Sequence, residues 1–250
     1  MYSNQYQEKT STTFEPFGSE SLANSLRINF VRKVFGITAI QLAFTSLLTY
    51  LTISNPGFAK FQERNPVLLI LAAVTVFVSS LALYISDTLS KKVPLNYILL
   101  SVFTLAESYT VAFLASAYDK EIVMSAMFLT ASVVAALALY ALRSKTEINM
   151  IGGLIVLISL GVLVIGFLSI FVRVKFLTSL TFGGSVIVSG LYLIYDVKLI
   201  MGKENIKLSL DDYIRGAMHL YVDVIRIFIK ILQLLGDNEK NNKKKEEKKN

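Results

Sequence analysis

Cysteine and tryptophan are absent from the 250 residues, and there is a single histidine. Without cysteine neither a disulfide framework nor a thiolate metal site can be built, and the redox state of a compartment leaves no trace. With His219 alone, a zinc centre of several imidazoles is excluded, which argues against a transmembrane zinc hydrolase. Charge is scarce as well. Asp, Glu, Lys and Arg make up 17% of the chain and hydrophobic residues 54%, whereas an ordinary soluble domain carries about 25% charge. An integral membrane protein is expected, with the lipid bilayer as its surroundings. The net charge of +7 does not point to nucleic acid, because the basic residues gather at the ends of apolar stretches and in the C-terminal tail.

What is present is a series of long apolar runs. A helix needs about 20 apolar residues to cross a bilayer, and six stretches qualify: 34–54, 66–86, 94–117, 121–142, 148–171 and 176–200. Pro66 and Pro94 read as first-turn prolines opening the second and third. Short connections imply consecutive antiparallel helices in one bundle. Glycines at 152, 153, 161 and 166 in the fifth stretch and 183, 184 and 190 in the sixth allow close approach, and these two helices are expected to be central. Residues 1–26 are expected to form a disordered cytosolic tail, 27–236 the transmembrane domain and 237–250 a charged, disordered tail. Glu8, Glu15 and Glu20, with no Arg before Arg27, fit neither a secretory signal nor a transit peptide, so insertion is expected to use the first span.

The seventh stretch, 212–235, differs. Asp212, Arg215, His219, Asp223, Arg226 and Lys230 recur at spacings of three and four, which aligns them along one helix face. Two readings are open: an amphipathic helix on the membrane surface, or a buried helix whose polar stripe faces the bundle interior. The position of Asp223 between apolar neighbours favours the second. Lys and Arg counts favour a cytosolic N-terminus, and keeping the C-terminal lysines cytosolic favours a partly inserted, re-entrant seventh helix over a full crossing.

Carboxylates in such surroundings are the candidates for chemistry. An uncompensated one in hydrocarbon costs roughly 3 kcal/mol, so those that persist are held away from lipid and are functional hypotheses by default. Asp196 near the end of the sixth span and Asp223 in the seventh are joined by a short connection and can meet at similar depth. In contact they would share a proton and titrate as a unit, forming a pH sensor. The plainer reading is salt bridging to Arg215, Arg226 or Lys198. Deprotonated, the pair is a hard oxygen donor set suited to transient calcium, which must bind weakly enough to leave. Glu107, mid-way along the third span, is either a helix fastener or a pathway carboxylate, and His219 is expected to line the polar stripe. No resident cofactor is expected. Nor is an enzyme: a GxSxG signature is missing, and Tyr195-Asp196 is followed by Leu220-Tyr221-Val222-Asp223 rather than the Gly-x-Gly-Asp of an intramembrane aspartyl protease.

The C-terminal third carries a specific resemblance. Gly190-Leu191-Tyr192-Leu193-Ile194-Tyr195-Asp196-Val197-Lys198, then Leu208-Ser209-Leu210-Asp211-Asp212-Tyr213-Ile214 and Leu220-Tyr221-Val222-Asp223-Val224-Ile225, resembles the Bax inhibitor motif family, particularly its Lifeguard branch. Phe30-Val31-Arg32-Lys33-Val34, Gln41-Leu42, Phe103-Thr104-Leu105-Ala106-Glu107 and Tyr118-Asp119 extend it over about residues 27–236. The resemblance implies an all-α seven-helix bundle, six transmembrane helices around a central C-terminal one, in endomembranes such as the endoplasmic reticulum or Golgi. It implies a pH-sensitive calcium leak that suppresses cell death, with Asp196 and Asp223 as the proton-sharing gate. The expected partners are calcium as permeant ion and cell-death or calcium-channel membrane proteins, the chain itself being a monomer. One departure stands out: some bacterial relatives support the dyad with an Arg in the second span, and residues 66–86 contain none. Arg215 or Arg226 would have to replace it, or the dyad does without.

Overall fold

Nine helices are present among the described residues of the computed structural model, which are 19–172, 175–202 and 208–247. Six are long and apolar enough to cross a membrane: α1 (Ser19–Ser54), α3 (Pro66–Ile85), α5 (Leu95–Ala115), α6 (Lys120–Arg143), α7 (Ile148–Val172) and α8 (Lys175–Met201). Two short helices, α2 (Pro56–Arg64) and α4 (Asp87–Lys91), sit in the connections, and α9 (Tyr213–Glu247) follows α8. Their starts are written locally. Asn55 caps α2 by accepting from the Gly57 amide at 3.0 Å, and Ser86 caps α4 by accepting from the Leu89 amide at 3.3 Å. Pro66 opens α3 as expected, whereas Pro94 stands one position earlier, at the cap of α5.

The expected tails are partly helical. α1 begins at Ser19, and α9 continues through Glu247, because no Pro or Gly lies in 19–26 or 237–247 and the Leu and Ala of the first and the Lys and Glu of the second sustain a helix well. The remainder of those tails, 1–18 and 248–250, lies outside the described residues.

α9 is the axis of the bundle. It packs against α1, α3, α4, α5, α6 and α8. Its residues enter both halves of the core: Ala217, Leu220, Val224 and Ile227 join a cluster with residues of α1, α6, α7 and α8, while Ile214, Met218, Tyr221, Ile225, Phe228 and Leu232 join one with residues of α3, α5 and α6. The Tyr221 ring lies edge-on to Phe103 with centroids 5.9 Å apart. The fifth span, α7, is peripheral rather than central: it packs on α8, and only Ile148, Ile151 and Ile155 are buried. The glycines mark how near α7 and α8 come, not where the pair lies. A Cβ at Gly184 would stand 2.5 Å from Val162 Cγ2, and one at Gly166 would meet Thr181 Cγ2 at 3.3 Å.

The two ends of the bundle are fixed by contacts. At the near end Arg27 of α1 donates to the carbonyls of Leu199 and Leu208 at 2.5 and 2.6 Å, satisfying the C-terminus of α8 where Gly202 turns the chain at φ 60°. Lys198 donates to the Ser144 and Thr146 carbonyls after α6, and Arg215 to Leu83 at the end of α3. At the far end Gly236 lies so close to the Tyr118 ring, in the α5–α6 connection, that a Cβ has no room. α9 therefore runs unbroken from the near end to the far end, and its Tyr213–Gly236 portion rises about 35 Å, enough to cross a bilayer core. Among the described residues α9 has no break of the kind a re-entrant turn would bring, and it is not one of the six helices apolar enough to count as a span. The bundle encloses the polar stripe only in part: Asp223 is buried, whereas the side chains of His219 and Arg226 are 37% and 55% exposed.

Candidate functional site

Asp196 sits five residues before the end of α8 and Asp223 eleven residues into α9, and the packing of the two helices places both carboxyl groups in the wall of one cavity, within electrostatic reach of each other. Asp223 is 2% exposed and Asp196 7%, so water cannot separate their charges. Two carboxylates offer only acceptors, and Asp223 Oδ2 is buried with no donor facing it. A proton shared by the pair would supply that donor and remove the repulsion.

Basic side chains stand on either side at longer range. His219 Nδ1 is 3.6 Å from Asp196 Oδ2, its ring stacked on Tyr84 at 5.9 Å between centroids. Arg226 Nη1 is 3.7 Å from Asp223 Oδ1 and its guanidinium lies 6.0 Å from the Tyr192 ring centroid. Neither reaches the carboxylate in a short bidentate pair. Asp196, Asp223, His219, Arg226 and Glu107 all line one cavity of about 810 Å³, walled by α3, α5, α8 and α9. Glu107 is half-buried and within the electrostatic reach of Arg226.

Two expected supports lie elsewhere. Arg215 is one helical turn closer to the near end than His219 and spends its guanidinium there: Nη2 meets Asp87 Oδ1 at 2.7 Å, Nη1 meets Asp212 Oδ1 at 3.1 Å, and Nε donates to the Leu83 carbonyl at 2.9 Å. It is bound to α3 and α4, not to the dyad. Lys198 points to the end of α6, where it holds the Ser144 and Thr146 carbonyls. Of the cations proposed for the dyad, Arg226 is the one that the bundle places beside it.

Sequence reasoning did not anticipate the aromatic lining, Tyr84, Phe103, Tyr192 and Tyr195, nor the buried polar column of α1. Thr38, Gln41, Thr45, Thr49 and Thr52 are all buried, and the column is tied inward by Gln41 Nε2 donating to Thr104 Oγ1 at 2.7 Å and by Thr45 bonded to Ser108 and to the Tyr221 hydroxyl. Their spacing of three and four was visible in the chain.

A helical bundle that turns lipophilic faces outward and keeps an ionisable pair around its central helix is an integral membrane protein with a polar interior. Comparison with known proteins narrows that class. The family model described as "Inhibitor of apoptosis-promoting Bax1" matches residues 27–240, and the chain belongs to that family. It is 36% identical over 225 residues to the Golgi anti-apoptotic protein of Vaccinia virus (strain Lister), covering 88% of each chain. It is 31% identical over 217 residues to Protein lifeguard 3 of Homo sapiens, covering 85% of this chain and 70% of that one. It is 30% identical over 224 residues to Bax inhibitor 1 of Schizosaccharomyces pombe (strain 972 / ATCC 24843), covering 88% and 81%.

Proposed function

We propose that this protein is a passive, proton-regulated calcium leak of an internal membrane, which lowers store calcium and thereby restrains cell death. The carrying observation is the convergence of Asp196 and Asp223, with Glu107, on the wall of one cavity of about 810 Å³. A pair that shares a proton changes charge as a unit, so the same oxygens serve as sensor and as calcium ligands. Among the described residues no three His, Asp or Glu side chains converge as a metal centre. Calcium, which prefers six to eight oxygens, would be held with water in transit rather than as a resident ion. The protein in this reading performs no bond chemistry. Its anti-apoptotic role follows the names of its relatives, the Golgi anti-apoptotic protein among them, which also supports placing it in endomembranes; the Lys and Arg counts support a cytosolic near end. Membrane proteins of cell-death or calcium signalling are its proposed partners.

A second reading rests on the ion pairs of His219 with Asp196 and Arg226 with Asp223: a non-conducting regulator whose dyad fastens α8 to α9. Calcium flux into proteoliposomes at neutral and acidic pH separates the two. Wild-type protein is expected to carry flux that varies with pH, and Asp196→Asn or Asp223→Asn to abolish the variation. Flux no greater than in protein-free vesicles would remove the leak and favour the fastener.

A further inference from the structure

Beyond the dyad, towards the far end, α9 turns the same face to a second cavity of about 200 Å³. On α9 the first cavity is lined by Val222, Asp223, Arg226 and Ile229, and the second by Ile229, Leu232 and Gln233. Steps of three and four keep these residues on one side of the helix. Ile229 is the residue common to both walls. The second cavity is completed by Ser116 and Tyr118 of the α5–α6 connection and by Glu63, an exposed residue of α2, so it lies at the far end of the bundle. Gln233 Oε1 is buried there without a hydrogen-bond partner, a polar atom that water would satisfy. Ile229 thus stands between a cavity that holds Asp223 and Glu107 and one that holds Gln233 and Glu63, with apolar Phe113, Leu114 and Leu232 beside it in the second.

We propose that Ile229 is the apolar barrier of the ion path and that Gln233 and Glu63 form its far mouth, which receives a hydrated divalent cation. The inference rests on the leak reading and adds a second closure to it, independent of the dyad's proton. The isoleucine side chain offers no atom that can replace a water ligand, and a narrow apolar constriction closes a path by expelling water. Glu63 is the carboxylate at the mouth; its attraction for cations is opposed by Lys60 and Arg64 of the same helix and weakened by salt because the side chain is exposed.

The absence of cysteine makes the barrier measurable with single introduced thiols. In proteoliposomes, the face from which Glu63→Cys reacts with a membrane-impermeant cationic thiol reagent is the far face. Ser80→Cys, in the α3 wall of the first cavity, is expected to react slowly from that face, and about tenfold faster when combined with Ile229→Ser, as removal of a dewetting constriction requires. Ile229→Phe should keep it slow. Ile229→Ala, a change without a polar atom, gives the same comparison should the serine variant fail to fold. Equal rates for Ser80→Cys with and without the Ile229 replacement overturn the barrier. Calcium flux in the same vesicles should rise severalfold in Ile229→Ser. If the thiol rate depends on Ile229 while no variant carries calcium, the leak reading falls and the ion role of the barrier falls with it; if flux is present but indifferent to Ile229, only this inference fails.

Discussion

α7 and α9 invert the rule that apolar residues lie inside. α7 carries no charged residue, yet it is the least buried of the six candidate spans; Leu157, Leu163 and Phe171 are 69%, 66% and 69% exposed. α9 carries Arg215, His219, Asp223, Arg226 and Lys230, yet Ile214, Ala217 and Tyr221 are wholly buried. The solvent explains the difference. Lipid tails are as apolar as leucine, so a hydrophobic helix gains nothing from the interior, whereas a helix with carboxylates must be enclosed. Enclosure then brings Asp196 and Asp223 together, so the energetic demand of α9 and the chemistry of the site have one origin.

The comparison predicts unequal tolerance to truncation. Tyr221→Ala removes a ring packed on Phe103 and a hydroxyl bonded to Thr45 at 2.9 Å, and is expected to cost about 3–5 kcal/mol. Leu157→Ala in α7 should stay within about 0.5 kcal/mol. Unfolding of the purified protein in detergent measures both, and comparable losses would break the contrast. Charge tests it from the other side. Leu163→Arg places a guanidinium in lipid at roughly 3 kcal/mol and should reduce membrane integration, while Arg226→Leu should integrate as well as wild type. Integration can be read from the fraction resisting alkaline extraction; an unaffected Leu163→Arg would mean that α7 is not lipid-facing.

The six spans were legible because length and composition suffice for them, and the dyad because a mid-helix aspartate in an apolar run demands a partner. The 3–4 spacing of the α9 polar stripe pointed inward for Asp223, which is buried, but not for Arg226, whose side chain is 55% exposed. α2 and α4 were not legible: at nine and five residues they rest on a cap and a turn rather than on a hydrophobic period. Arg215 was assigned to the dyad since the stripe looks continuous on a helical projection, which does not show that Asp87 and Leu83 reach its near-end turn. The glycines of α7 and α8 reported a close pair, a local property, and were over-read as evidence of a central position.

That pair gives a smaller effect. Gly184→Ala sets a Cβ against Val162, whose branched side chain has little rotamer freedom in a helix. Overpacking of this kind costs about 1–3 kcal/mol, and Val162→Ala should recover most of it. Unfolding of the two single variants and the double variant supplies the cycle; strict additivity would place Val162 out of contact with Gly184.

The smallest effect concerns how the polar helix is held at the near end, where α9 is fixed by charge. The Arg215 hydrogen bond, then the nearby Lys91 and Arg215 charges, hold the Asp87 carboxyl below the ordinary carboxylate range. A lowered value in the folded state means that the charged form stabilises folding above the ordinary range, and that this stabilisation is lost as pH falls through the lowered value. Asp87 is largely exposed, so solvent and salt screen the contribution. Asp87→Asn should therefore leave stability in moderate acid slightly reduced and flatten its further decline below the ordinary carboxylate range. Melting temperature against pH, at low and high salt, is the measurement, with the difference from wild type shrinking as salt rises. Superimposable acid limbs would mean that Arg215 draws its hold on α9 from Asp212 and the Leu83 carbonyl alone.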